Sequence, residues 1–86
     1  MALTGQITVA LAGTKVQGPN EPGSLFRLKG KPGNTGAVFF GDASVSAAAG
    51  YPLDAGEDVE IETSNLNTLY FDAANNGDVC AWLKVW

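Results

Sequence analysis

The sequence offers few side chains that could carry out covalent or metal chemistry. It contains no histidine and a single cysteine, Cys80. Histidine is the usual general base and the commonest metal ligand, and one cysteine cannot build a structural zinc site. One cysteine also cannot form an intramolecular disulfide, so the chain is either assembled inside a cell or uses Cys80 in an intermolecular bridge. We therefore expect no enzyme activity, no cofactor and no structural metal.

Carboxylates and glycines are the remaining candidates for chemistry. Asp58, Glu60 and Glu62 alternate along one predicted strand, about 7 Å apart, which could resemble a glycosidase pair. A catalytic carboxylate needs burial to raise its pKa, and no apolar residue interrupts this face, so a solvated strand face is favoured. Residues 72–78 lack the ligand spacing of an EF-hand, and the glycines of residues 30–36 open no helix. Both segments are predicted to be turns.

Length and charge limit the possible partners. A chain of 86 residues buries about 60–65% of its unfolded surface, and each ordered residue costs about 1.5 kcal/mol. Without a disulfide or metal, we expect it to form a homodimer or homotrimer. The net charge of −4 argues against nucleic acid and anionic membranes, and no apolar run approaches a membrane span. The N-terminus lacks a basic signal-peptide region, so we expect a soluble chain made in a cytoplasm, with protein or carbohydrate partners.

Strands must position any functional residues, because apolar and polar residues alternate with a period of two. Only residues 43–50 could form a helix, and they contain weak helix formers. The sequence predicts one all-β domain over residues 1–86, a small β-sandwich or partly closed barrel of six to seven short, mostly antiparallel strands. The predicted strands are residues 6–11, 24–29, 37–40, 57–63, 68–72 and 78–86.

The last predicted strand carries the candidate site. Asn76-Gly77 predicts a hairpin that pairs residues 68–72 with residues 78–86. The core register of the last strand would then consist of its alternate apolar residues Val79, Ala81, Leu83 and Val85.

The opposite face of that strand would hold Trp82 and Trp86. Tyr70 would lie near Trp82 on the paired strand, and Leu25 would extend the patch. Such a face suits a subunit or ligand interface, because Trp and Tyr anchor protein contacts and stack on sugar rings. The alternatives are that both faces of the strand are buried within the domain, or that its register differs from the predicted one.

Three segments resemble a pattern in small all-β virion proteins of tailed bacteriophages. They are residues 34–42 (NTGAVFFGD), 50–57 (GYPLDAGE) and 64–71 (SNLNTLYF), and the similarity extends in order over roughly residues 24–86. The resemblance implies a capsid decoration or cement protein, or a module of a head or tail fibre, with no catalytic residues.

In the decoration role, the chain would be synthesised in the host cytoplasm and bind the major capsid protein at the virion surface as a small oligomer. The N-terminal residues 1–23 form a strand and loop outside the resemblance, and this strand pairs either within its own domain or with a neighbouring subunit. The alternative function is a carbohydrate-binding or receptor-binding fibre module that uses Tyr70, Trp82 and Trp86 as a stacking platform.

Overall fold

The computed structural model describes residues 3–86, which form an all-β domain. Among these residues no helix is long and apolar enough to cross a membrane. Six of the strands match the six predicted runs, and the two additional strands are three residues or shorter. The strands are β1 (Thr4–Val9), β2 (Val16–Gln17), β3 (Leu25–Gly30), β4 (Val38–Gly41), β5 (Tyr51–Leu53), β6 (Asp58–Glu62), β7 (Tyr70–Ala73) and β8 (Asp78–Lys84), with one 3₁₀ turn at Leu66–Thr68.

The strands form two antiparallel sheets of four strands each. The first sheet has the order β1-β8-β3-β6, and the second has the order β2-β7-β4-β5. Within residues 3–86 no ladder joins the two sheets. The arrangement is therefore of the β-sandwich type and not a partly closed barrel.

Both sheets contribute to one hydrophobic core. On β3 buried and outward-facing side chains alternate, since Phe26 and Leu28 are fully buried while Arg27 and Lys29 face outwards. Phe71 on β7 is also fully buried and belongs to the same apolar cluster. The period of two in the sequence of β3 thus matches its inner face.

The predicted hairpin between residues 68–72 and 78–86 is wrong. β7 pairs with β2 and β4 in the second sheet, whereas β8 lies between β1 and β3 in the first sheet. Gly77 has a positive φ of 82°, but no other residue of this turn does, and a two-residue type I′ turn requires two. The turn instead carries the chain between sheets, and the Gly77 N–H donates to the Val9 carbonyl at 2.8 Å.

The predicted register of β8 is also wrong. Cys80 and Trp82 point into the core, and Trp82 is only 6% exposed, whereas Leu83 lies on the outer face. The neighbouring strands explain this choice, because Leu83 is opposite Thr4 on one side and Arg27 on the other. Burying Leu83 would therefore bury a row of polar and charged side chains, at a cost that exceeds its own transfer energy.

A glycine makes room for the buried indole of Trp82. Gly5 is opposite Trp82 in the ladder between β1 and β8, and a Cβ at Gly5 would lie 2.7 Å from the indole ring. On the inner side, the ring of Trp82 meets Phe26 edge-to-face with centroids 6.3 Å apart. Strand β1 thus pairs within its own domain, and Met1 and Ala2 lie outside the described residues.

Candidate interaction surface

The structure brings together two of the four residues proposed for the interface. Leu25 and Trp86 line the same open hollow at one end of the first sheet. Trp82 belongs to the core, and Tyr70 is half-buried on β7 in the second sheet. The three aromatic residues therefore do not share a face, and they form no stacking platform.

A β-bulge after the end of β8 exposes Trp86. The N–H groups of Val85 and Trp86 both donate to the Leu25 carbonyl, at 2.8 and 3.3 Å. Two residues of this segment are thus opposite one residue of β3, which breaks the alternation of the strand and changes the direction of the side chains that follow Lys84. Trp86 is 75% exposed, and Val85 is exposed beside it. Together with Leu25 and Leu83 these residues form what we call the Trp86 patch.

Charged side chains border the Trp86 patch. Arg27 lies in the row next to Leu25 and forms ion pairs with Asp58 at 3.1 Å and Glu60 at 2.8 Å. The hydrogen bond to Asp58 is the largest cause of the raised pKa of Arg27, so the guanidinium stays charged. All three side chains are solvent-exposed, so these pairs contribute little stability. An apolar centre with a charged rim is the composition of a protein-binding surface.

A shielded ion pair fixes the end of β8 beneath the bulge. Lys84 Nζ lies 3.2 Å from Glu21 Oε2, and the two side chains are only 9% and 14% exposed. The Ser24 N–H also donates to the Trp86 carbonyl at 2.9 Å. These contacts hold the bulge against β3, so the exposed indole projects from a fixed backbone.

The carboxylates of the 72–78 turn are occupied by backbone donors. Asp78 is buried and accepts hydrogen bonds from the N–H groups of Thr35 and Gly36 at 3.0 and 2.9 Å. Asp72 is also buried and accepts from the Gly13 N–H at 2.9 Å. Among residues 3–86 no group of three His, Cys, Asp or Glu residues is placed to hold a metal ion.

Residues 34–42, 50–57 and 64–71 hold the fold together. The Asn34 side chain accepts from the Val79 N–H and donates to the Val79 carbonyl, both at 2.8 Å. In the second segment, Glu57 Oε1 accepts from the Asp54 N–H at 2.9 Å. In the third, Leu66 is fully buried. These positions serve turns and core packing, which explains why they could be read from the sequence as strands with their turns.

Cys80 is buried in the core with no exposed surface. Burial raises the pKa of its thiol to about 12, so it is protonated at neutral pH. A thiol in this position cannot reach a second chain in the folded state. The intermolecular bridge considered for Cys80 is therefore wrong for this fold.

No family model, curated protein or solved structure matches this chain in comparisons with known proteins. The fold and its surface therefore carry the information about the class of this protein. They define an all-β domain with an exposed apolar patch and, among the described residues, no assembled metal cluster.

Proposed function

We propose that the chain is a structural protein of a tailed-bacteriophage virion, a capsid decoration protein that binds the outer capsid as a small homo-oligomer. The observation that carries this proposal is the Trp86 patch. An exposed tryptophan that shares a hollow with Leu25, Glu60 and Glu62, and that follows the exposed Leu83 and Val85 along the chain, has the composition of a contact surface. The resemblance of roughly residues 24–86 to small virion proteins supports the virion role.

The size of the patch suits repeated weak contacts. Burying a tryptophan removes about 150–250 Å² from water, worth about 4–6 kcal/mol before the costs of ordering and association. One such anchor gives weak binding on its own. On a regular lattice, the linked copies of an oligomer engage many equivalent sites, and avidity makes the attachment stable.

Sugar binding has less support from the geometry. A stacking platform needs aromatic faces on one surface, and of the three proposed aromatic residues only Trp86 is exposed. We therefore keep carbohydrate as an outcome of the test and not as a second function.

The test uses particles of the phage that encodes the chain, prepared without this protein. Purified chain should bind them saturably and raise their resistance to heat. Trp86→Ala should weaken the binding by about tenfold or more, because it removes the anchor. Tyr51→Ala is the matched control, since Tyr51 is an exposed aromatic on β5 of the other sheet and should leave binding unchanged.

Three outcomes would overturn the proposal. The first is no uptake by the particles, and the second is an equal loss of binding in Tyr51→Ala and Trp86→Ala. The third is binding on a glycan array without uptake by particles, which would favour the carbohydrate module. Melting curves of both variants establish that they are folded.

A further inference from the structure

The edge strands of the two sheets differ in how well they are protected. An edge strand presents unpaired backbone N–H and C=O groups to other chains. β6 carries alternating Asp58, Glu60 and Glu62, β5 contains Pro52, which has no N–H, and β2 is two residues long. Charge, proline and short length are the features that protect edges. β1 is the fourth edge strand, with six residues, no charge and no proline.

The register of β1 determines which backbone groups face its open edge. The Leu3 carbonyl accepts from the Lys84 N–H at 2.7 Å, so the odd-numbered residues of β1 bond to β8. The backbone groups of Thr4, Gln6 and Thr8 therefore point to the open edge. Within residues 3–86 no other strand pairs with this edge.

We propose that β1 pairs antiparallel with β1 of a second copy across a two-fold axis. The two four-stranded sheets then join into one sheet of eight strands. This contact deepens the oligomeric part of the proposed function by naming its surface. It also makes the oligomer a dimer.

Charge favours a second copy at this edge. Each chain carries a net charge of −4, so two copies repel each other over much of their surface. β1 is neutral, whereas an edge contact through β6 would place carboxylates of both copies against each other. β1 is thus the edge at which identical chains approach with the least repulsion.

Two exposed leucines flank β1, one beyond each end of the strand. Leu3 and Leu11 are 62% and 60% exposed, and each is four residues from Ile7. Leu11 begins a turn, since its carbonyl accepts from the Thr14 N–H at 3.0 Å. In antiparallel pairing with the axis at Ile7, the Leu3 end of each strand lies toward the turn of the other copy that contains Leu11, and a two-fold contact repeats this apolar approach at both ends.

The test compares variants at Gln6, whose N–H points to the open edge. Sedimentation equilibrium of the unmodified chain between about 1 and 100 µM should show a species of twice the 8.9 kDa chain mass. Gln6→Pro removes the outward N–H without breaking the ladder to β8, and it should raise the dissociation constant by about tenfold or more. Gln6→Thr keeps the N–H and should remain dimeric. Thr8→Lys places a like charge at the two-fold contact and should also dissociate the dimer.

Hydrogen exchange identifies the surface directly. The Gln6 and Thr8 amides should exchange slowly in the dimer and rapidly in Thr8→Lys, while the Gly5 and Ile7 amides, bonded to β8, stay protected in both. Trp86→Ala should remain dimeric, which separates this contact from particle binding. A monomer at all concentrations, a trimer, or a dimer unchanged by both Gln6→Pro and Thr8→Lys would overturn the proposal, whatever the particles show.

Discussion

Trp82 and Trp86 are four residues apart in the sequence, and the structure assigns them opposite roles. Trp82 is buried between Gly5 and Phe26, whereas Trp86 is 75% exposed. We therefore predict that Trp82→Ala strongly destabilises the domain, while Trp86→Ala leaves its stability unchanged within about 0.5 kcal/mol.

The magnitude follows from the buried ring. Removing a core tryptophan costs about 3–5 kcal/mol, and the edge-to-face contact with Phe26 accounts for about 0.5–1.5 kcal/mol of such a loss. At about 0.05–0.15 kcal/mol per residue, a domain of this length has a total stability of about 4–13 kcal/mol. Trp82→Ala therefore removes a large part of that stability. Trp82→Phe keeps most of the ring volume and should cost about 1–2 kcal/mol, which can be measured even if the alanine variant does not fold.

Urea unfolding followed by far-ultraviolet circular dichroism measures these losses without relying on tryptophan emission. With a slope of about 1–3 kcal/mol per molar urea, Trp82→Phe should lower the midpoint by about 1 M. The loss should be the same at low and high protein concentration, because the ring is buried within one chain. A Trp82→Ala variant that stays folded with the original midpoint and changes only its oligomeric state would refute the assignment of Trp82 to the core.

Three further experiments test the contacts around the core. Gly5→Ala places a Cβ about 2.7 Å from the indole of Trp82 and should lower the free energy of unfolding in urea by about 1–3 kcal/mol. Gly33→Ala is the control, because its Cβ enters open space and should cost less than about 0.5 kcal/mol. Equal losses in the two variants would contradict the packing of Gly5 against Trp82. Asp78→Ala leaves the N–H groups of Thr35 and Gly36 without their acceptor, and thermal melting should show a loss of stability of about 2–4 kcal/mol. An unchanged stability would show that this turn does not depend on the Asp78 carboxylate. Burial raises the pKa of the Cys80 thiol from an ordinary value of 9.0 to about 12 in the folded chain, so the unfolded chain loses this proton first. The free energy of unfolding should fall by about 1.4 kcal/mol per pH unit between pH 9 and 12, a total loss of at most about 4 kcal/mol. Cys80→Ala should show a shallower fall over the same range. Parallel curves for the two chains would contradict the burial of the thiol.

The period-two patterns predicted where strands lie but not how they are assembled. Along β3, Phe26 and Leu28 alternate with Arg27 and Lys29, so one strand contained the information that fixes its inner face. The short strand β5 was missed because three residues containing Pro52 show no alternation. The partners of β7 and β8 could not be read from the turn between them. Gly77 supplies one positive φ, and whether the chain then folds back or crosses to another sheet depends on distant strands.

The register of β8 shows the same limit at the candidate site. Taken alone, β8 has apolar residues on both faces, and either face could have been buried. The choice is made by the rows across the sheet, where Gly5 opens space for Trp82 and Arg27 keeps Leu83 on the outer face. Leu25 and Trp86 lie together because of the bulge after Lys84, and not because of the register that the sequence predicted for β8. The signal that could have found it is the run Leu83-Lys84-Val85-Trp86, in which strict alternation cannot bury every apolar residue.

The turn segments and the Trp86 patch serve different purposes in this fold. The patch residues Leu25, Leu83, Val85 and Trp86 all lie outside residues 34–42, 50–57 and 64–71. Those three segments build turns and core, whereas the patch is exposed to a partner. A substitution in a turn segment, such as Asn34→Ala, should therefore lower stability and particle binding together, because binding needs the fold. Trp86→Ala should lower particle binding alone, and this difference in which property changes separates a contact residue from a folding residue.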